Sequence, residues 1–456
     1  MPIEQPVRIR NFRRFAVFEP QPRSTRPGIV SVAYQFVRGK MPKFPLHRFR
    51  ILCPSHPEYL GLCLSWMAQA VILLLLMPYS FANPDSQNRE VDALAQQAAA
   101  ARDADHLAEA ITLYRRALTM RPSWAEGWWS LATLEYDQDH YAKAAVSFRK
   151  VIALQPNNGT AEAMLGLCEF ELGHEELALR HIENGKELGL QKNPELQKVV
   201  LYHEGLLLQR KGGFQAAQDT LEELCLQTGP NDQAANVLGM TMLRLSSRSL
   251  PEPDSPDATV VLRIGRAECL AGLKKYDEAN RAFQEIAKEK PNYPNIHYAF
   301  GLFLLETRNV PDAVMQFKQE IQNRPDDVIP RLRIAAAEYK EDSAAGIPYA
   351  EEAVKLAPQQ PFAHYLLGLL RLDLDQYQEA IPELELAEKG LAREPKLYAA
   401  LASAYSRAGR KQEAVKARAT FARLNEQARK SAEEAQFTGQ SGEARIPLGD
   451  SVSLPQ

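Results

Sequence analysis

Reactive and metal-binding signatures are scarce in this sequence. Only five cysteines, Cys53, Cys63, Cys168, Cys225 and Cys269, stand in 456 residues. They form no CxxC pair and no Cys/His spacing of a zinc site, so neither a structural metal nor a disulfide framework is expected. Cys168 and Cys269 come just after the small residues Gly166 and Ala267 and read as small apolar fillers. The nine histidines are scattered, and HExxH, GxSxG and GxxxxGKS/T are all missing. That removes the signatures of zinc proteases, nucleophile-elbow hydrolases and P-loop enzymes. His174-Glu175-Glu176 falls in a turn between helices, where a solvated role explains it. No catalytic residue, metal or cofactor is assigned. An enzyme with an unrecognised site remains only as a remote alternative.

Charge is missing altogether from residues 60–82, and acidic residues are rare before them. Residues 1–59 carry a balance of +8 and everything after Ala82 carries −11, for a net −3. An acidic body repels phosphates, which argues against a nucleic-acid partner, and it also aids solubility. Residues 1–58 are rich in Pro and Arg with no sustained periodicity and are expected to be disordered. Residues 59–82, YLGLCLSWMAQAVILLLLMPYSFA, are long enough to cross the roughly 30 Å hydrocarbon core. Small residues at Ser80 and Ala82 suit a cut after Ala82. With the basic flank in front, the positive-inside rule exports the chain beyond Ala82. The segment is therefore a cleaved signal peptide or a signal anchor. Its basic leader is too long for an ordinary n-region, so an internal start at Met41 or Met67 is a further alternative.

What the rest of the chain has is repetition. Residues 125–156, AEGWWSLATLEYDQDHYAKAAVSFRKVIALQP, read as two amphipathic helices joined by a polar turn. Frames start near Val91, Ala125, Gly159, Lys198, Asp232, Val260, Pro294, Asp327, Pro361 and Pro395, mostly 34 residues apart. Each first helix carries a small residue after a large one: Ala132, Gly166, Gly205, Gly239, Gly301 and Gly368. Each second helix carries Ala and, four residues later, a bulkier side chain: Ala110/Tyr114, Ala144/Phe148, Ala178, Ala217, Ala279/Phe283, Ala313/Phe317 and Ala380. Residues four apart share a helix face. Two helices 8–10 Å apart cannot both be large where they cross, so these positions are assigned to packing.

A helix–turn–helix unit of this period resembles the tetratricopeptide repeat, over roughly 340 of the 456 residues. The resemblance implies an all-α fold, a right-handed α-solenoid of tandem tetratricopeptide hairpins. Repeat blocks are expected over 86–245 and 260–435, the second ending in a capping helix. Residues 246–259, rich in Pro and Ser, would link the blocks and leave Asp232–Leu245 as a lone helix, and 436–456 would be a disordered tail. Only that short tail lies beyond the last helix, so no appended catalytic domain is expected.

The resemblance also implies a concave groove lined by first helices. Its family register picks out Glu126, Trp129, Tyr136, Asp137, Tyr202, His203, Arg210, Tyr298, Glu306, Arg331, Tyr339, Phe362, Tyr365 and Asp373. Aromatics among scattered charges suit a peptide or protein partner. The alternative for Trp129 and the tyrosines is packing against an adjacent repeat. Family members that grip a chaperone's C-terminal carboxylate use Lys and Asn where this chain has Trp129, Thr133, Ala163 and Leu167, so that partner is not expected. The expectation is a non-enzymatic protein-interaction scaffold, extracytoplasmic (periplasmic or secreted) or membrane-anchored through residues 59–82. The alternative is a cytosolic adaptor with a mis-assigned N-terminus.

Overall fold

The computed structural model describes residues 84–190, 193–245 and 255–438. The segments expected as basic leader (1–58), hydrophobic segment (59–82) and most of the tail lie outside the described residues. Among the described residues every regular element is a helix, and none is long and apolar enough to cross a membrane. The chain divides between Ser130 and Leu131 into two compact units.

The smaller unit holds α1 (Pro84–Asp103), α2 (Leu107–Met120) and the start of α3 (Ala125–Asp137). Val91, Leu94 and Ala98 of α1 are buried, as are Ala110, Tyr114 and Ala117 of α2. Two surface pairs run between the helices: Arg121 reaches Asp92 at 2.7 Å and Arg116 reaches Glu90 at 3.1 Å. The Trp124 ring packs 6.1 Å from Tyr114.

The larger unit continues through α4 (Tyr141–Leu154), α5 (Gly159–Glu171), α6 (Glu175–Leu188), α7 (Pro194–Arg210), α8 (Phe214–Thr228) and α9 (Asp232–Met242). After the interruption come α10 (Pro256–Gly272), α11 (Tyr276–Glu289), α12 (Ile296–Glu306), α13 (Val310–Asn323), α14 (Val328–Glu338) and α15 (Ser343–Leu356). The end is α16 (Pro361–Asp373), α17 (Tyr377–Leu391), α18 (Pro395–Arg407) and α19 (Lys411–Thr438).

Why these residues form helices is clearest in α11, which buries Ala279, Phe283, Ile286 and Ala287 on one stripe. Asp277 and Glu278 open it and Lys288 closes it, each matched to the helix dipole. The first helices are buried nearly all round, as in α12, because helices flank them on several sides. Asn158, Asn193, Asn231, Asp327 and Asp342 cap helix starts with side-chain oxygens. A residue with left-handed φ punctuates most turns within hairpins, at Asp139, Gly173, Gly212, Lys274, Arg308, Asp375 and Gly409.

The small positions sit at helix crossings. Ala132, Ala144, Ala178, Ala217, Ala279, Ala313 and Ala380 have no exposed surface, nor do Phe148, Phe283 and Phe317. A Cβ on Gly166 would stand 2.9 Å from the Ile182 nitrogen; one on Gly205, Gly301 or Gly368 would meet Leu221, Phe317 or Leu384 within 2.7 Å.

The stretch 246–259 differs from its expectation as a linker at its far end. Its last residues begin α10, with the Ser255 hydroxyl accepting from the Ala258 amide and Pro256 at the first helical position. Likewise α9 is not alone. It packs on α10 so closely that a Cβ on Gly239 would lie 1.9 Å from the Val261 carbonyl oxygen, and one on Gly265 1.7 Å from that of Ala235. Nor does the end of α19 match: it runs to Thr438, into the expected tail.

The cysteines are a further correction. Cys225 of α8 and Cys269 of α10 form a disulfide, both side chains fully buried. Their separation of 44 residues hid the pair, since only the packing of α8 on α10 brings them together. Cys168 is free and buried, and burial pushes its thiol pKa well up.

Candidate functional site

The residues assigned to a groove divide into three groups. Glu126, Arg210, Glu306 and Asp373 face solvent, while Asp137, Tyr202 and Tyr339 are half-buried. Trp129, Tyr136, His203, Tyr298, Arg331, Phe362 and Tyr365 are all buried. These seven cannot offer free area to a partner, which corrects their assignment as presented groups. Their apolar bodies serve packing instead: Tyr136 against Tyr141 at 5.3 Å, Phe362 against Tyr365 at 6.2 Å, and Tyr298 against Phe317 at 6.0 Å.

His203 shows how such a position is satisfied. Its Nδ1–H donates to the Val199 carbonyl at 2.8 Å, and Phe170 and Tyr202 stand edge-on at 4.7 and 5.3 Å. Burial is the larger cause that pulls its pKa down to about 4, so it is neutral at pH 7. Arg331 is buried but paired, its Nε on Glu352 at 2.8 Å and its Nη1 on the Asp327 carbonyl at 2.8 Å.

Solvent-facing members carry their own anchors. Arg210 pairs with Glu175 at 2.6 Å and covers the Phe170 ring at 5.6 Å. The Glu306 carboxylate accepts from the Tyr276 hydroxyl, and Asp373 accepts from Ser343 at 2.7 Å. Beyond Asp137 at the end of α3, the surviving surface strip of the larger unit is thus Tyr202, Arg210, Glu306, Tyr339 and Asp373, contributed by α7, α12, α16 and the end of α14.

Two constellations escape any reading of local sequence. The first gathers Glu222 of α8, Glu268 of α10 and Glu306 of α12. The Gln218 amide donates to Glu222 at 2.8 Å and to Glu268 at 2.7 Å. Burial, then the charges of Glu222 and Glu306, hold the Glu268 carboxyl pKa well above the usual range. Glu268 is 1% exposed, so no substrate reaches it. The second gathers Arg244, Tyr298 and Arg333 around a small cleft. Its only sequence signal was an arginine amid the apolar run of α14, where Leu332, Arg333 and Ile334 are all buried. Among the described residues no group of three or more His, Cys, Asp or Glu is arranged to hold a metal ion.

The tetratricopeptide repeat family matches this chain at residues 95–159, 265–328 and 333–394. No curated protein matches it. Among solved structures, MamA (residues 41 to the end) from Desulfovibrio magneticus RS-1 is 25% identical, covering 37% of this chain and 94% of its own, with a TM-score of 0.33. Cut9–Hcn1, an APC/C hetero-tetramer, is 13% identical over 73% of this chain and 87% of its own, with a TM-score of 0.30. The P58(IPK) tetratricopeptide domain is 15% identical over 71% and 99%, with a TM-score of 0.24. With tandem helical hairpins in the repeat register and three matched spans along them, the chain carries tetratricopeptide repeats.

Proposed function

We propose that this chain is a non-enzymatic scaffold that holds a peptide or protein partner along its first helices. The observation that carries this reading is the strip of Tyr202, Arg210, Glu306, Tyr339 and Asp373. First helices of the larger unit bring mixed aromatic and charged groups to the surface at equivalent registers. Site-specific photo-crosslinking tests it. Crosslinkers at Tyr202, Glu306 and Asp373 should capture partners, while those at Val146, Met315 and Val415, exposed on second helices, should not. The reverse pattern would overturn it.

We place the scaffold outside the cytoplasm. The uncharged segment 59–82 behind a basic leader supports this, and so does the Cys225–Cys269 disulfide, a bond that persists in oxidising compartments. Residues 59–82 would touch the membrane only as an uncleaved anchor. Amino-terminal sequencing with fractionation of the native host decides. A soluble exported chain beginning at Asn83 marks a cleaved signal, and an intact chain in the membrane fraction marks an anchor. A soluble cytosolic chain with reduced Cys225 would favour the adaptor reading instead.

A further inference from the structure

Buried arginines in a folded chain are paired, because a guanidinium withdrawn from water needs an acceptor for each N–H. Helix α14 buries two. Arg331 meets this rule through Glu352 and the Asp327 carbonyl. Arg333, 8% exposed, does not: no carboxylate of the described residues pairs with it, and its Nε is buried without an acceptor. Its polar contact is the Tyr298 hydroxyl, to which Nη2 donates at 3.3 Å, and its guanidinium carbon lies 5.9 Å from the centre of that ring. A second guanidinium, that of Arg244, lies 5.5 Å from the same ring.

Both arginines line one cleft with Tyr298, Gln218, Thr241 and Leu302. Its free volume is about 20 Å³, room for a water or one edge of a carboxylate. No acidic residue lines it. Gln218 holds Glu222 and Glu268 on its amide, and burial holds the Glu268 carboxyl pKa well above the usual range. Arg333 therefore brings a positive charge to the cleft that no carboxylate of the described residues meets.

We propose that the Arg333–Tyr298 cleft is an anion site that takes the side-chain carboxylate of an acidic peptide segment. The planar guanidinium fork matches a planar carboxylate edge, and the apolar wall at Leu302 keeps the site dry enough for the charge to count. The site differs from the family's chaperone-tail grip, whose positions are otherwise occupied here. It rests on the scaffold reading above, since an acidic segment reaches the cleft by lying along the first helices.

The test is fluorescence anisotropy of the full chain with fluorescein-labelled tetraglutamate, with tetraglutamine as reference. Tetraglutamate should bind at least tenfold tighter than tetraglutamine. Arg333→Gln should remove most of that preference, and Arg418→Gln, in α19, should leave it unchanged. Circular dichroism verifies folding. If Arg333→Gln does not fold, Tyr298→Phe decides, because it keeps the ring but removes the hydroxyl that orients the guanidinium, and a several-fold loss is expected. Equal binding of the two peptides, or parental affinity in the folded arginine variant or in Tyr298→Phe, overturns the proposal. So does displacement by inorganic phosphate as effective as by glutarate, which would make the cleft a site for small anions. Crosslinks from Tyr202, Glu306 and Asp373 that persist while tetraglutamate fails to bind would sink the anion site alone; loss of both would sink the scaffold as well.

Discussion

One hydrogen bond recurs at the residue scale in four repeats. Trp128 Nε1 donates to the Pro122 carbonyl at 2.8 Å, His297 Nε2 to Pro291 at 2.9 Å, His364 Nε2 to Pro358 at 3.0 Å, and the Tyr398 hydroxyl to Ala392 at 3.2 Å. Each ring occupies the fourth position of its repeat frame and closes the turn six residues before it. A carboxylate stands by as well: His364 Nδ1, the ring's other nitrogen, lies 2.6 Å from Glu383, and the same Tyr398 hydroxyl lies 3.0 Å from Glu388. This device was invisible in the sequence for a chemical reason. Indole, imidazole and phenol share only a ring with a donor at its edge, so the aligned residues look unrelated until the carbonyl they serve is seen. His364→Leu leaves the Pro358 carbonyl without its donor and takes the imidazole from Glu383, which keeps Arg371 at 3.4 Å, and should destabilise the larger unit by about 1–3 kcal/mol in urea unfolding. Trp128→Phe loses one bond at a half-exposed site and should cost about 0.5–1.5 kcal/mol. A silent His364→Leu would mean that water replaces the ring at no cost.

At the scale of elements, the pairing of α9 with α10 carries the most consequence. The small-residue rhythm of the hairpins was legible because Ala and Gly recur at fixed spacing. The α9–α10 contact was not, because its partner residue is Gly265, ahead of the frame's own small position at Ala267, and because the Pro/Ser composition of 246–259 masked the Ser255-Pro256 helix start. Both glycines face backbone, which cannot swing aside. Gly239→Ala should therefore cost about 2 kcal/mol or more, and denaturation should show it together with raised hydrogen exchange in α9 and α10. The acidic trio spans α8, α10 and α12, and its members lie too far apart in sequence for any motif to announce them. Its pH dependence has a definite sign. The folded Glu268 carboxyl holds its proton above the pH at which the unfolded one loses it. Its stabilising contribution is complete below about pH 4.5 and is lost as pH rises toward the folded pKa, by as much as about 1.4 kcal/mol per unit. Glu268→Gln fixes the neutral form, so it should raise the melting temperature at pH 8 and leave it nearly unchanged at pH 4. A variant that melts lower at pH 8 would show that the charged carboxyl is the one the fold prefers.

At the scale of the whole molecule, the disulfide and the amino-terminal hydrophobic segment make one joint prediction about where the chain resides. The bond closes a loop between residues 44 apart, and the chain-entropy argument assigns such a loop about 4 kcal/mol. Reduction by dithiothreitol should therefore lower the unfolding midpoint of the larger unit, with α8 and α10 exchanging amide protons first. The same cysteines label the compartment. In a mature exported chain beginning at Asn83, Cys53 and Cys63 are gone and Cys225 and Cys269 are joined, so Cys168 alone should alkylate after denaturation without reductant. In a chain anchored by residues 59–82, Cys53 and Cys63 should join Cys168 as reactive thiols, because they remain on or near the reducing side. In a cytosolic chain, Cys225 and Cys269 should alkylate as well, whatever the start codon. Peptide mapping of the alkylated protein from its native host tells the three apart by which cysteines carry the label. Labelled Cys225 and Cys269 in freshly isolated protein would remove the disulfide as support for export and leave the hydrophobic segment as its sole basis.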